Sequence, residues 1–312
     1  MSHVKTPQEA CIKLENEKTG INPEQETKVA VETNISPTTK GGLLIILIAC
    51  SFLVLVVGGY NNFLPADMTL LVRVSVVFVL LLPTIFLYKS EGRWKEYWKL
   101  SFSFLIVSIG LVVAWLVGTL YALFPGLSPS TVEGVAVLKV VEVLPIVLTI
   151  LVGMWLVEKD FAPIFLRGGN IKKSFKLGLL VSPAALLLVI PLGFLGLTVS
   201  LGVAVSWMPW LCLFAISNAF YEELMIRGLF LRKYDSLFGP RQSLLLTSFI
   251  FAMLHISIIG LADLVTFSLY FGLSFMLGVL WAYVIQKSDN IWGAVLAHTI
   301  ADILFVLTVF GV

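Results

Sequence analysis

The chain has 312 residues, of which 58% are hydrophobic and 13% charged, with a mean hydropathy of +0.98. Soluble domains are about 45–50% apolar and about 25% charged, so this composition excludes a water-soluble globule and makes lipid the solvent for much of the surface. A formal net charge of +2 identifies no partner; where the charges sit along the chain matters more.

Residues 1–40 are polar, with scattered Lys and Glu and no apolar clustering, and they read as a disordered cytoplasmic tail. The first apolar run begins only after Lys40 and is long enough to span, so it reads as a retained helix rather than a signal peptide. A spanning helix needs about 20 predominantly apolar residues. Segments of that kind fall near 42–60, 69–88, 100–124, 134–157, 177–198, 203–231, 242–260, 264–286 and 291–312. An all-α, polytopic membrane protein with about nine transmembrane helices is therefore expected, with a break or tilt in the sixth helix near Pro209. Residues 89–99, which mix Trp and Tyr with charges, read as an interfacial stretch. Cys11, Cys50 and Cys212 have neither metal-ligand nor disulfide spacing and read as a reduced tail thiol and two small hydrophobes.

Loop charges test the span count. The loops near 61–68, 125–133, 198–203 and 261–263 contain no Lys or Arg. The alternate connections hold Lys89, Arg93, Lys95 and Lys99, then Lys159, Arg167, Lys172, Lys173 and Lys176, then Arg232, Lys233 and Arg241, and finally Lys287. Positive residues collect on the cytoplasmic side, so this alternation predicts a cytoplasmic N-terminus in an integral membrane protein of the cell membrane.

Several ionisable groups remain inside the apolar spans, where each costs a few kcal/mol and is a functional hypothesis by default. Arg73, near the start of its helix, is expected to snorkel to the outer interface. Lys139 and Glu142 lie three apart on one face and can pair, either to fix packing or to contact substrate.

The last third is denser in such groups. The sixth segment contains NAFYEELMIRGLFLRKY, in which Glu223 and Arg227 are four apart and suited to pair. Pairing neutralises Glu223 and leaves Glu222, turned by about 100° around an α-helix, without a counter-ion on its own helix. A buried carboxylate in that position suits a general base. The seventh segment carries Phe251-Ala-Met-Leu-His255 and the ninth carries His298-Thr-Ile-Ala-Asp302. The chain's remaining histidine, His3, is in the tail. At about 1.5 Å per residue, Glu222 lies about 15 Å from Arg232, His255 about 21 Å from Arg241 and His298 about 16 Å from Lys287. The three groups thus reach similar depth and can converge in one polar cavity formed by the C-terminal helices.

EExxxR, then FxxxH on the next helix, then HxxxD two helices later, resembles the CPBP family of intramembrane proteases, which includes the type II CAAX prenyl endopeptidases, the Abi bacteriocin self-immunity proteins and proteins like lysostaphin resistance protein A. The resemblance covers roughly residues 205–305, including the runs Glu-Glu-Leu-Met-Ile-Arg-Gly and Asn-Ile-Trp-Gly-Ala-Val-Leu-Ala-His. It divides the chain into the tail 1–40, motif-free transmembrane helices over 41–200, and a protease-like core over 201–312.

The resemblance implies an intramembrane endopeptidase. Glu222 would activate the attacking water, Glu223 and Arg227 would orient the site, and His255 and His298 would assist. The fourth position is Asn in the CAAX endopeptidases and Asp302 here. An ionised Asp donates no hydrogen bond, so Asp302 either is protonated or orients His298. Metal-free catalysis is the favoured reading, with a zinc site of Glu222, His255 and His298 as the alternative. The expected partners are membrane lipid and a peptide or membrane-protein substrate, prenylated or otherwise lipidated among the options, and no nucleic acid. HExxH, GxGD and GxSG arrangements are absent from the sequence. Two rival functions stay open: a catalytically idle scaffold or immunity factor, and an ion-coupled transporter that uses the same buried charges as a relay.

Overall fold

A computed structural model describes residues 36–59, 64–118, 121, 126–193, 200–259 and 264–310. Among these residues all regular structure is helical. Among the described residues, nine helices overlap the expected segments: α1 (Pro37–Val57), α2 (Ala66–Lys89), α3 (Trp98–Gly118), α4 (Val132–Glu158), α5 (Ile171–Gly193), α6 (Leu201–Phe238), α7 (Pro240–Ile259), α8 (Leu264–Ser288) and α9 (Trp292–Phe310). Among the described residues seven helices are long and apolar enough to cross a membrane, namely all but α7 and α9. The apolar part of α9 is the shorter run Trp292–Leu307.

Side chains sort as they should in lipid. Leu71, Leu82 and Phe86 on α2 and Leu180 and Leu187 on α5 are exposed. Most of the ionisable groups within the spans face inward. The sequence expectation of an all-α polytopic membrane protein is met, and the chain is an integral membrane protein.

Four local features differ from expectation. The polar tail stretch was expected to run to residue 40, but α1 already begins at Pro37. Ser36 caps it by accepting the backbone N–H of Thr39 at 3.2 Å, and Pro37 sits where a missing N–H is harmless. The rest of the tail, with His3 and Cys11, lies outside the described residues.

Arg73 does not snorkel. It is buried and donates to the carbonyl of Gly59, just past α1, at 2.7 Å and to that of Leu111 on α3 at 3.4 Å. Carbonyls at a helix end lack intrahelical donors, so the guanidinium is more useful there than at an interface.

In the third case, α6 runs through Pro209 without a break. The irregularity comes later, where residues Glu223–Leu231 form a π-helix before α-helical geometry resumes at Arg232. Fourth, α1 also ends in π geometry, over Phe52–Val57. The Lys139–Glu142 pair forms as expected, at 2.9 Å, and the interfacial stretch contains a 3-10 turn over Gly92–Tyr97.

The helices that carry the buried charges pack closely. α9 lies against α5, α6 and α8, and α7 lies against α8 and the π turn of α1. The α5–α9 contact depends on two glycines. A Cβ on Gly178 would stand 2.2 Å from the carbonyl oxygen of Gly293, and one on Gly293 would stand 1.9 Å from that of Ser174. Small residues let membrane helices approach at backbone distance. Ser174 then joins them, donating to the Asn290 carbonyl at 3.0 Å and accepting the Gly293 N–H at 2.9 Å. Asn290 starts α9 by accepting the Trp292 N–H at 3.1 Å. Through these contacts the helices on either side of residue 200 share one packed interior, and the register of α9 sets where His298 and Asp302 lie.

Candidate active site

The junction in α6 between α-helical and π geometry falls between Glu222 and Glu223. π turns close i→i+5 hydrogen bonds and concentrate at functional sites. Each residue in such a widened turn advances by less than the α-helical 100°, so residues four apart stay near one face. Glu223 and Arg227 are both fully buried and pair at 2.9 Å. The same guanidinium donates to the Gly278 carbonyl on α8 at 3.2 Å. Its flat face lies over the Phe251 ring of α7 at 4.4 Å. A buried cation thus meets an anion, a carbonyl and a π-face, the partners a dry environment requires.

His298 sits at the centre. Its Nδ1–H donates to Oε1 of Glu223 at 3.1 Å, the same oxygen that receives Arg227. Its Nε2 faces two further carboxylates, Oε2 of Glu222 at 3.6 Å and Oδ1 of Asp302 at 3.4 Å. The imidazole lies flat on the Trp281 indole, with centroids 3.7 Å apart and planes 12° from parallel. Phe251 meets both rings edge to face, Trp281 at 5.2 Å and His298 at 5.8 Å. With two ring nitrogens bonded or facing carboxylates and one face stacked, the imidazole has little freedom to turn.

Asp302 has a second partner. Its Oδ2 accepts the amide of Asn218 at 3.0 Å. Asn218 lies four residues before Glu222 on α6, hence on the same face. Asn218 and Asp302 are half-buried, whereas Glu222, Glu223, Arg227 and His298 are buried. The cluster is a buried polar core with one half-buried edge.

His255 stands apart from this core. Its Nδ1–H donates to the Phe251 carbonyl at 2.9 Å, which leaves Nε2 free of its own helix. The ring touches the site through Phe251, at 4.6 Å between centroids. Among the described residues it forms no ion pair with a carboxylate. Of the six residues singled out from the sequence, five are therefore in direct polar contact and His255 is one ring away.

The zinc alternative can be tested on this geometry. Among the described residues no group of three His, Cys, Asp or Glu side chains is arranged to hold a metal ion. Both nitrogens of His298 face carboxylates, and one of those carboxylates also holds a guanidinium. The set Glu222, His255 and His298 does not fit a tetrahedral site as arranged.

Sequence reasoning missed Asn218, Trp281 and the Gly278 carbonyl. Asn218 carried a usable signal: a polar side chain in an apolar span, one turn before Glu222. Trp281 carried none, because a tryptophan in a membrane helix ordinarily reads as packing. A cavity of about 850 Å³ between α1, α2 and α3 is lined by Leu43, Leu47, Leu80 and Phe104 among others, and none of the site residues borders it.

Comparison with known proteins places a domain here. Residues 204–304 match the family described as type II CAAX prenyl endopeptidase Rce1-like. No curated protein matches the chain, and no solved structure does. The matched stretch begins in α6 and ends in α9, so it contains every residue of the cluster just described.

Proposed function

We propose, from the premise that residues 204–304 form an Rce1-like CAAX-type protease domain in the membrane, that the protein is an intramembrane endopeptidase in which Glu222 activates the attacking water. The observation that carries this reading is the unequal treatment of two adjacent glutamates. Glu223 shares one oxygen between Arg227 and His298. Among the described residues Glu222 has no cation at salt-bridge distance other than the more distant His298 Nε2. One carboxylate is structurally committed and the other is left to do chemistry.

In this reading Glu222 takes a proton from water as the oxygen attacks the peptide carbonyl, and returns it to the departing amine as the C–N bond breaks. The developing oxyanion is met by imidazole N–H groups. His255, with Nδ1 engaged by the Phe251 carbonyl, has its Nε2 edge left to meet the substrate. His298 is held by Glu223, Asp302 and Trp281 so that its Nε2 edge faces the reacting atoms. Asp302, an acceptor only when ionised, serves to orient His298 rather than to bind the oxyanion. In this reading the step uses these side chains without a metal.

The substrate is a peptide or membrane-protein segment, with a prenylated C-terminal tail as the class the domain family points to. The alternation of Lys and Arg among the connections supports a cytoplasmic N-terminus. The test is a comparison of peptides, prenylated and unmodified, offered to the purified protein and to its Glu222→Ala form. Peptides cut only by the unmodified enzyme define the substrate. An identical product set from both proteins would rule out Glu222 as the base, and no cleavage by either would favour the scaffold or transporter readings.

A further inference from the structure

Asp302 raises a question that the mechanism above leaves open. A carboxylate on a short side chain can rotate about two bonds, yet its Oδ1 must stay near His298 Nε2, now 3.4 Å away. On α9 its partner is His298 itself, the group to be oriented. The group that holds it from outside is the amide of Asn218, which donates to Oδ2 at 3.0 Å from the facing helix α6. The two oxygens are thereby distinguished, one to the amide and one to the imidazole.

Asn218 also lies one turn before Glu222 on the same face of α6. Its bond to Asp302 therefore ties together the two helices whose carboxylates both face His298 Nε2. A single chain of contacts runs Asn218, Asp302, His298, Glu223 and Arg227, and Asn218 is its half-buried end. An amide suits that end: it can donate to a carboxylate without adding charge to a buried cluster that already holds three acidic groups.

We propose that Asn218 is a positioning residue for the hydrolytic reaction, acting through Asp302 to hold His298 and, with it, the space in front of Glu222. The assignment rests on the protease reading and deepens it. It makes a reciprocal demand on positions 218 and 302. Either can carry the carboxylate, provided the other carries the amide. With the two exchanged, the amide at 302 donates to the carboxylate at 218 while its oxygen accepts from His298 Nε2–H, so the chain of contacts survives.

The experiment uses the full chain purified in detergent and a farnesylated peptide ending in a CAAX sequence, with a fluorophore and quencher on either side of the bond. The proteins are the unmodified enzyme, E222Q, N218L, N218D and the exchange N218D/D302N, each checked by gel filtration and thermal unfolding. N218L keeps the branched side-chain shape and removes the amide. Its kcat should fall about 10- to 100-fold with KM changed less than about twofold, the pattern of lost alignment rather than lost binding. N218D should fall at least as far, because two carboxylates then face each other, and the exchange should recover to within about tenfold of the unmodified enzyme.

A folded N218L with unchanged kcat overturns the assignment. So does an exchange variant no more active than N218D, or one that fails to fold where N218D folds. Should N218L not fold, the exchange alone decides. A merely structural asparagine would lower yield or stability in N218L without splitting kcat from KM. If the unmodified enzyme and E222Q cut the probe equally, or neither cuts it, the protease reading fails and takes this assignment with it. If cleavage depends on Glu222 but not on Asn218, only the assignment fails.

Discussion

Replacing Arg227 by Met tests how the buried charges are held. Both members of the Glu223–Arg227 pair are fully shielded, 2.9 Å apart. The guanidinium also loses a carbonyl at 3.2 Å and an aromatic face at 4.4 Å on substitution. Removing one partner of a buried pair leaves an uncompensated charge and costs about 3–5 kcal/mol. That corresponds to a factor of about 10² to 10⁴ in the folding equilibrium.

Glu223→Gln should cost a similar amount by stranding Arg227. The double variant E223Q/R227M should lose less than the sum of the two, by at least about 1 kcal/mol, because neither charge is then left alone. Part of the penalty for Arg227→Met alone will be softened by His298, which still donates to Glu223 at 3.1 Å. Unfolding curves in detergent for the four proteins of the cycle measure this. Single variants as stable as the unmodified protein, or strictly additive losses, would refute the claim that the pair neutralises itself inside the membrane.

Two other expectations are simpler to check. Gly278→Ala places a methyl group 2.9 Å from Arg227 Nη2 and 3.0 Å from the Ser248 Cα, so it should lower stability by about 1–3 kcal/mol and reduce activity by displacing the guanidinium; an unchanged melting temperature contradicts the packing described. Protein purified with chelator should keep its activity and contain well under one zinc per chain by elemental analysis. Activity lost to chelator and restored by zinc but not magnesium would recast His255, His298 and a carboxylate as ligands.

Much of this fold is written plainly in the chain because lipid allows few solutions. Apolar runs near 20 residues leave the backbone no choice but helix, and among the described residues these runs are helical. Positions at helix ends were harder, since they depend on local caps: Ser36 and Pro37 begin α1 inside what composition alone reads as tail. Charged residues were legible where spacing on one helix decides the contact. Glu223 with Arg227 and Lys139 with Glu142 are such pairs, and both form.

Contacts between helices were not legible in that way. Arg73 finds carbonyls on α3 and beyond α1, and no periodicity along α2 points to them. Asn218 meets Asp302 across 84 positions. Trp281 reaches His298 across the packing of α8 against α9. The π geometry of Glu223–Leu231 also has no spacing signal, because the same residues satisfy an α-helical pattern. Equal depth suggested that His255 joins the cluster on the same terms as His298. Depth, however, places a residue along a helix axis and says nothing of the rotation that turns His255 toward Phe251 instead.

The most direct test of the central claim is the cleavage rate of Glu222→Gln in single turnover, on a peptide the unmodified enzyme cuts, with the variant's melting temperature measured alongside. The amide keeps the shape of the carboxylate and adds no charge to a buried site, so the variant should stay folded. Removing the general base should slow cleavage by about 10²–10⁴-fold. A folded Glu222→Gln protein that cleaves the peptide at the unmodified rate would contradict the assignment of Glu222 as the residue that activates water.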